Sequence, residues 1–331
     1  MASALRLRAA LKRGALVTAA NWPLVAVQFT ADSLYKLALA VPVIGGTFMV
    51  AVLVGADMGG LLSDGIRAAA GLVVESLAGA PMALASFVIA LALVAVVGAA
   101  VTFLAKAGTL ALLVEGERAA ADVQRAPFRY DVFRRASVTD ADAFLRGVRR
   151  LGPRYLRLGG ALISGYVLIG VAYLAVVGGA YRLSEHTAWS SAWPLIVLVA
   201  TSGGVVAIVL VSLMYDLLQV IIAYDDCHIV EATRRLRVFL LHDARQVSGI
   251  FGVVLTLVVL ATAASFIATA GLGLVAWVPL VGLIVFPLQA TAWLVRGLLF
   301  EYVGLAEVAA YLSQYRQFVE PERGEMSPPM A

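Results

Sequence analysis

The amino-acid sequence predicts an all-helical membrane protein, a polytopic bundle of about six transmembrane helices with interfacial amphipathic helices. Its composition is the first reason, because 62% of the 331 residues are hydrophobic and only 14% are charged. Soluble globular chains are about 45–50% apolar and about 25% charged. The second reason is that the apolar residues form long runs, and about 20 such residues cross the hydrocarbon as a helix. The alternating ten-residue pattern of an outer-membrane barrel is not found in the sequence.

Cysteine content and net charge exclude several other classes. With a single cysteine, Cys227, the chain forms no internal disulfide and no cluster of thiolate metal ligands. The net charge of +4 is carried by segments beside the apolar runs, where membrane topology explains it better than nucleic-acid binding. We expect neither a cofactor nor a nucleic-acid partner.

The N-terminus combines basic residues with a short apolar stretch, as a secretory signal does. Here the stretch that precedes Asn21 is short, and strong hydrophobicity continues well beyond it. We therefore predict an uncleaved basic helix at the membrane surface, with Arg6, Arg8, Lys12 and Arg13 on it.

Six apolar segments are long enough to be spans. The first begins at Asn21-Trp22-Pro23, where Asn can cap a helix and Pro suits its first turn. The dipeptide Gly152-Pro153 opens the third. The predicted spans are residues 22–54, 82–114, 153–181, 194–224, 247–270 and 280–305. Residues 1–312 then form one membrane domain, and residues 313–331 form a polar cytoplasmic tail.

The distribution of Arg and Lys predicts the topology, since cytoplasmic segments of membrane proteins carry the excess of these residues. Nearly all of them lie in the N-terminus and in residues 115–157 and 225–246. The intervening linkers hold only Arg67 and Arg182. The pattern predicts an inner (plasma) membrane protein with both termini in the cytoplasm.

A weak threefold repeat runs through the predicted elements. Each unit is a basic amphipathic helix, an outward span, a short loop and a returning span, and the units start near Leu5, Ala141 and Glu231. The basic helices should lie against the cytoplasmic leaflet, where anionic headgroups attract each Lys or Arg by about 1 kcal/mol. Membrane lipids are therefore the expected partners, together with partner proteins or further copies of the chain.

With this order of elements, the chain resembles a group of bacterial six-span membrane proteins that includes the membrane domain of some glycerophosphodiester phosphodiesterases. The resemblance covers most of the chain and lies in its architecture. No catalytic motif of the phosphodiesterase is present, so the resemblance implies neither an activity nor site residues.

Ionisable residues inside the predicted spans are the main functional signal, because each costs about 2.5–3.5 kcal/mol at a helix centre. They are Asp32, Lys36, Lys106, Asp216, Arg296 and Glu301. At about 1.5 Å per residue, most lie at a similar depth from the arginine-rich helix ends, so we predict one charged layer. Possible polar support comes from Gln28, Tyr215, Gln219 and Gln289.

Two interpretations of this layer are open. Its three acids balance its three bases, and Asp32 and Lys36 are spaced i, i+4, which favours structural ion pairs that fix helix packing. The number of groups at one depth favours a hydrated cavity or relay for an ion, a proton or a polar solute.

Other candidate sites have weaker signals. The segment 225–228, with Glu231 and His242, contains metal-ligand types, but a solvated helix end explains it better. Paired glycines within the spans suit close helix packing rather than phosphate binding. The serines Ser137, Ser212 and Ser248 form no recognisable nucleophile–base–acid set with the histidines, so the sequence does not support an enzyme.

Two functional hypotheses follow. The first is a permease- or channel-like protein that handles a polar solute, an ion or a lipid headgroup through the charged layer. The second is a non-catalytic membrane scaffold or assembly subunit of a larger complex.

Overall fold

A computed structural model describes most of the chain. The described residues are 2–53, 79–121, 123–124, 129–186, 193–276 and 281–325. The sequence also predicts a short amphipathic piece around Leu61 to Leu77, which lies outside the described residues. Residues 187–192, 277–280 and 326–331 lie outside them as well.

Every regular element of the described chain is a helix, as the composition predicts. We number eight of them in chain order. They are α1 (Ala2–Ala20), α2 (Trp22–Leu53), α3 (Pro81–Ala119), α4 (Tyr130–Arg135), α5 (Ala141–His186), α6 (Trp193–Asp225), α7 (Ile229–Ala276) and α8 (Val281–Glu325).

Five of the described helices are long and apolar enough to cross a membrane, which is compatible with a multi-pass membrane protein. The candidate spans are Trp22–Gly46, Pro81–Ala119, Ala141–Arg182, Trp193–Asp225 and Ile229–Gly271. They coincide with the first five predicted spans. Helix α8 covers the sixth predicted span but is not among the five, so the count of six stays a prediction.

The chain forms two compact units. One consists of Gln28–Ala105 and the other of Met1–Val27 with Lys106–Ala331. In the smaller unit, α2 and α3 approach closely at glycines: a Cβ on Gly98 would lie 2.2 Å from the Tyr35 ring, and one on Gly46 would lie 2.3 Å from the Phe87 ring. Small residues thus set the distance between these helices.

Buried side chains of the larger unit gather at one end of its long helices. They belong to the last turns of α3 and α6, the first halves of α5 and α7 and residues 305–319 of α8. Because these segments adjoin the arginine-rich stretches 115–157 and 225–246, we call this part of the unit the arginine-rich end. The predicted polar tail thus begins in a part of α8 that is buried, since Ser313, Gln314 and Tyr315 are all almost inaccessible.

Helix α1 packs directly on the backbone of α8. A Cβ on Gly14 would lie 2.6 Å from the carbonyl oxygen of Ala306 and 2.7 Å from the amide nitrogen of Ala310. One helical turn of α8 away, the Tyr302 hydroxyl donates a hydrogen bond to the carbonyl oxygen of Ala15 at 3.0 Å. The glycine is therefore required by a close approach of two backbones.

Asn21 separates α1 from α2 and is completely buried. Its side-chain amide donates to the carbonyl oxygens of Val17 at 3.0 Å and Ala136 at 2.7 Å, and its Oδ1 accepts from the amide of Val138 at 2.9 Å. The expected capping residue therefore ties the helix junction to the segment that follows α4.

Helices α5 and α6 form an antiparallel hairpin with polar contacts along its length. The Tyr166 and Ser212 hydroxyls are hydrogen-bonded at 2.7 Å, and those of Tyr173 and Thr201 at 3.2 Å. Helix α5 continues through Pro153 without a break. In contrast, α7 is kinked at Asp243, whose φ and ψ of −121° and 24° lie outside the helical region. The kink lies four residues before the fifth predicted span begins at residue 247.

Candidate functional site

The structure brings together four of the polar residues predicted for the charged layer, at the junction of α3 and α6. The Lys106 ammonium of α3 lies 5.3 Å from the centroid of the Tyr215 ring of α6, a cation–π distance. The next residue, Asp216, interacts electrostatically with Lys106, and its Oδ1 accepts a hydrogen bond from Gln219 Nε2 at 3.1 Å.

The α6 side of this group is held in place by α5. The buried Tyr155 hydroxyl donates a hydrogen bond to the carbonyl oxygen of Gln219 at 2.8 Å. Gln219 and Tyr215 are themselves buried, so packing limits their rotamers. Asp216 therefore lies on a closely packed part of α6, between Tyr215 and Gln219.

Helix α8 adds a second carboxyl group that the sequence prediction did not include. Glu307 interacts electrostatically with Asp216, and its Oε1 accepts a hydrogen bond from the Tyr311 hydroxyl at 2.9 Å. We call Lys106, Asp216 and Glu307, one residue from each of α3, α6 and α8, the acid–base cluster. Glu307 lies two residues beyond the predicted sixth span.

Burial raises the pKa of Glu307 from its ordinary value of 4.5 to about 7, and the nearby negative charge of Asp216 acts in the same direction. The hydrogen bond from Tyr311 opposes this change because it favours the ionised form. Near neutral pH the cluster therefore has one cation and a second carboxyl group that can gain or lose a proton. Such a site can bind a headgroup or a cation, and it can exchange a proton.

The raised pKa predicts how stability depends on pH. Between about pH 4.5 and 7, the carboxyl is ionised in the unfolded chain and protonated in the folded one, so stability should fall as pH rises. Because glutamine cannot ionise, the Glu307→Gln variant should not show this fall in stability with pH. We therefore compare the free energy of unfolding of Glu307→Gln with that of wild type. The variant's value minus the wild-type value should be about 1–2 kcal/mol larger at pH 8 than at pH 4.5, after discounting for solvent screening.

Thermal unfolding of both proteins in one detergent across this pH range measures the effect. Subtracting the stability of wild type from that of the variant at each pH removes the contribution of the titratable groups that both proteins contain. A difference that stays constant from pH 4.5 to 8 would contradict the ionisation of Glu307 in this range.

The other predicted layer residues lie elsewhere. Asp32 and Lys36 belong to the smaller unit and form an ion pair at 2.5 Å, as their i, i+4 spacing suggested. Arg296 is exposed, and its guanidinium lies 5.6 Å from the centroid of the Phe300 ring. Within the described chain it forms no ion pair. The part of the charged layer that would join Arg296 to the acid–base cluster stays a prediction.

The remaining candidates are partly or fully buried. Glu301 and Gln289 are partly buried on α8. Gln28 is 3% exposed, and its Oε1 has no hydrogen-bond partner among the described residues.

The acids that follow α6 are held by arginines. Arg235 forms an ion pair with Asp225 at 2.6 Å, and Arg154 pairs with Asp226. Asp226 has a φ of 53°, in the left-handed region that Asp tolerates better than most residues. Burial raises the pKa of the Cys227 thiol. Among the residues the structure describes, no group of three or more His, Cys, Asp or Glu side chains is arranged to hold a metal ion.

The chain matches no protein-family model, and neither the curated proteins nor the solved structures contain a significant match to it. The resemblance to bacterial six-span membrane proteins therefore stays a prediction.

Proposed function

We propose that this protein is a permease-like protein of the inner membrane that handles the headgroup of an amine-containing phospholipid at the acid–base cluster. One observation supports this more than any other. An apolar groove between α5 and α6 includes Tyr215 in its lining, and the Lys106 ammonium lies over the ring of the same tyrosine. A groove for carbon chains thus adjoins a group of charges, as an amphiphile requires.

The groove has the composition that an acyl chain needs. It has a volume of about 240 Å³, and its walls are formed by side chains such as Leu158, Leu162, Leu210 and Met214. A polar solute in this space would lose its hydration without gaining hydrogen bonds, at a cost of several kcal/mol. An acyl chain has no such cost.

The acid–base cluster has the charges that an amine-containing headgroup needs. The Lys106 ammonium can attract the phosphate, and Asp216 and Glu307 can attract the headgroup amine. Because Glu307 has a pKa of about 7, the cluster can adjust its charge near neutral pH. We therefore expect an amine-containing phospholipid to bind better than an anionic one.

The number of spans, the location of the termini and the threefold repeat are part of the same proposal. Six spans, cytoplasmic termini and the threefold repeat all agree with the concentration of arginine in the segments 115–157 and 225–246. The arrangement of the helices agrees with this repeat, because a basic stretch lies directly before the candidate span of α2 and at the start of the candidate spans of α5 and α7. The suggested relation to bacterial six-span proteins has the same basis.

The proposal is tested by measuring lipid binding to the purified protein and its variants. Native mass spectrometry in detergent, with added phosphatidylethanolamine or phosphatidylglycerol, reports how much of each lipid stays bound. We expect Lys106→Met and Asp216→Asn to weaken phosphatidylethanolamine binding about tenfold or more, because each removes a charge-assisted contact. The control is Arg237→Gln, an exposed arginine on α7, which should bind as wild type does.

Equal binding of both lipids to wild type and to the Lys106 variant would refute the proposal. A loss of folding in Asp216→Asn alone would leave Lys106→Met as the deciding variant. Thermal unfolding of each variant separates these two cases.

The second candidate function, a membrane scaffold or assembly subunit, is favoured by the exposure of the apolar helices. In the most apolar 18-residue stretches of α5 and α6, no residue is buried. In the binding experiment, this alternative predicts no lipid preference together with a defined oligomer that survives in detergent.

A further inference from the structure

A second cavity, of different chemistry, lies at the arginine-rich end. It has a volume of about 340 Å³ and is lined by residues of α1, α3 and α8 and by the segment that follows α3. The lining residues are Arg13, Glu117, Ala121, Gln124, Ser313, Arg316, Gln317 and Glu320. Only one of these eight is apolar, so the cavity is unsuited to an acyl chain. Its volume lies within the range of about 300–1,000 Å³ that is usual for small-molecule sites.

A buried ion pair forms one wall of the cavity. Arg13 Nε lies 2.5 Å from Glu117 Oε1, and both side chains are almost completely buried. Arg13 also donates to the carbonyl oxygen of Glu117 at 3.1 Å and to Gln124 Oε1 at 2.8 Å. The hydrogen bonds of Arg13 are thus directed to the protein, and this residue holds the wall rather than binding a ligand.

Two buried polar atoms in the wall have no hydrogen-bond partner among the residues that the structure describes. Glu117 and Ser313 are each 1% exposed, and neither Glu117 Oε2 nor the Ser313 hydroxyl forms a hydrogen bond within the described chain. A buried polar group without a partner costs about 1–3 kcal/mol, and native proteins contain few of them. Two such groups beside one polar cavity indicate that the cavity has a polar occupant.

Arg316 supplies the opposite charge. Its Nε donates to Glu320 at 2.5 Å and its Nη1 donates to the carbonyl oxygen of Glu117 at 3.1 Å, while its Nη2 forms no hydrogen bond to any described residue. The arginine is partly exposed, at 27% of its side chain, so a ligand can reach it. A guanidinium binds carboxylate or phosphate oxygens well.

We propose that this cavity binds a small water-soluble zwitterion of about amino-acid size. Its ammonium group lies against Glu117 and Ser313, and its carboxylate or phosphate lies against Arg316. The two arginines and two glutamates of the lining sum to no net charge, which suits a ligand that is itself neutral overall. Ser313 lies eight residues beyond the predicted sixth span, about 12 Å along the helix, so the ligand comes from the aqueous phase. This site is independent of the proposed phospholipid site.

The test is a ligand screen on the full chain in detergent. Thermal unfolding is measured with a panel of free L-amino acids and O-phosphoethanolamine, and the best ligand is then titrated by calorimetry. Alaninamide and propionate each carry only one of the two charges, and they serve as negative controls. We expect at least one zwitterion to raise the unfolding temperature and both single-charge compounds to leave it unchanged.

Two variants locate the site. Arg316→Gln should weaken the binding of that zwitterion at least tenfold, and Ser313→Ala should weaken it severalfold without unfolding the protein, because its hydroxyl has no partner to lose. Arg146→Gln, at a side chain that is 71% exposed, should bind as wild type does. The proposal is overturned if no zwitterion in the panel shifts the unfolding temperature, if a single-charge compound binds equally well, or if Arg316→Gln binds as tightly as wild type.

Discussion

Replacing Gly14 with alanine should destabilise the protein by about 2 kcal/mol, although alanine is the better helix former. The added methyl group would lie 2.6 Å from the carbonyl oxygen of Ala306 and 2.7 Å from the amide nitrogen of Ala310. Both are backbone atoms of α8, so no side chain can rotate away to make room. Helix α1 must move outward, and the hydrogen bond from Tyr302 to Ala15 is lost with it.

A matched control for Gly14 lies on α8 itself. A Cβ on Gly304 would meet nothing within 4 Å, so Gly304→Ala should be neutral or should stabilise by up to about 1 kcal/mol. The two substitutions are chemically identical, and only Gly14→Ala is expected to destabilise the protein. Thermal or denaturant unfolding in detergent measures both, and a Gly14→Ala variant as stable as wild type would show that α1 does not pack this closely on α8.

Replacing Arg13 with methionine should have the largest effect on stability, about 3–5 kcal/mol. The substitution leaves Glu117 buried without its cation, since the Glu117 side chain is 1% exposed and Arg316 lies 3.9 Å away. Two further hydrogen bonds, to Ala121 and Gln124 in the segment that follows α3, are lost as well. The variant should unfold at a clearly lower temperature and should yield less folded protein.

A double variant distinguishes an unpaired charge from lost packing. In Arg13→Met combined with Glu117→Leu, no charge is left unpaired, so much of the stability should return. Arg146→Met provides the exposed control, because its contact with Asp140 at 3.8 Å is solvated and worth less than about 1 kcal/mol. If the double variant were no more stable than Arg13→Met alone, the buried ion pair would not explain the loss.

The helical class and the first five spans could be predicted from the sequence because hydrophobicity over about 20 residues is a local property. Helix ends were harder to place. Gly152-Pro153 indicated a start, yet α5 runs through Pro153, since long membrane helices tolerate a proline where neighbouring groups satisfy the freed carbonyl. The burial of Ser313 and Gln314 could not be predicted from their polarity, because it depends on which helices surround them.

The candidate site was predictable in part. Counting residues from the helix ends placed Lys106 and Asp216 at one depth, and the structure places them close together. Glu307 was missed because the charged layer was sought inside the predicted spans and this residue lies two positions beyond the sixth span, although its place one turn before Tyr311 is a signal. The pairing of Arg13 with Glu117 joins positions 104 residues apart. No periodicity or spacing within a single sequence indicates a contact of that kind.

The most direct test of the phospholipid site is a cryo-EM structure of the full chain in nanodiscs that contain phosphatidylethanolamine. The proposal predicts an elongated density in the groove between α5 and α6, with its headgroup end at Lys106 and Asp216. The same density should be absent or weak in Lys106→Met. A groove without lipid, above an acid–base cluster whose charges are satisfied only by one another, would contradict the proposal.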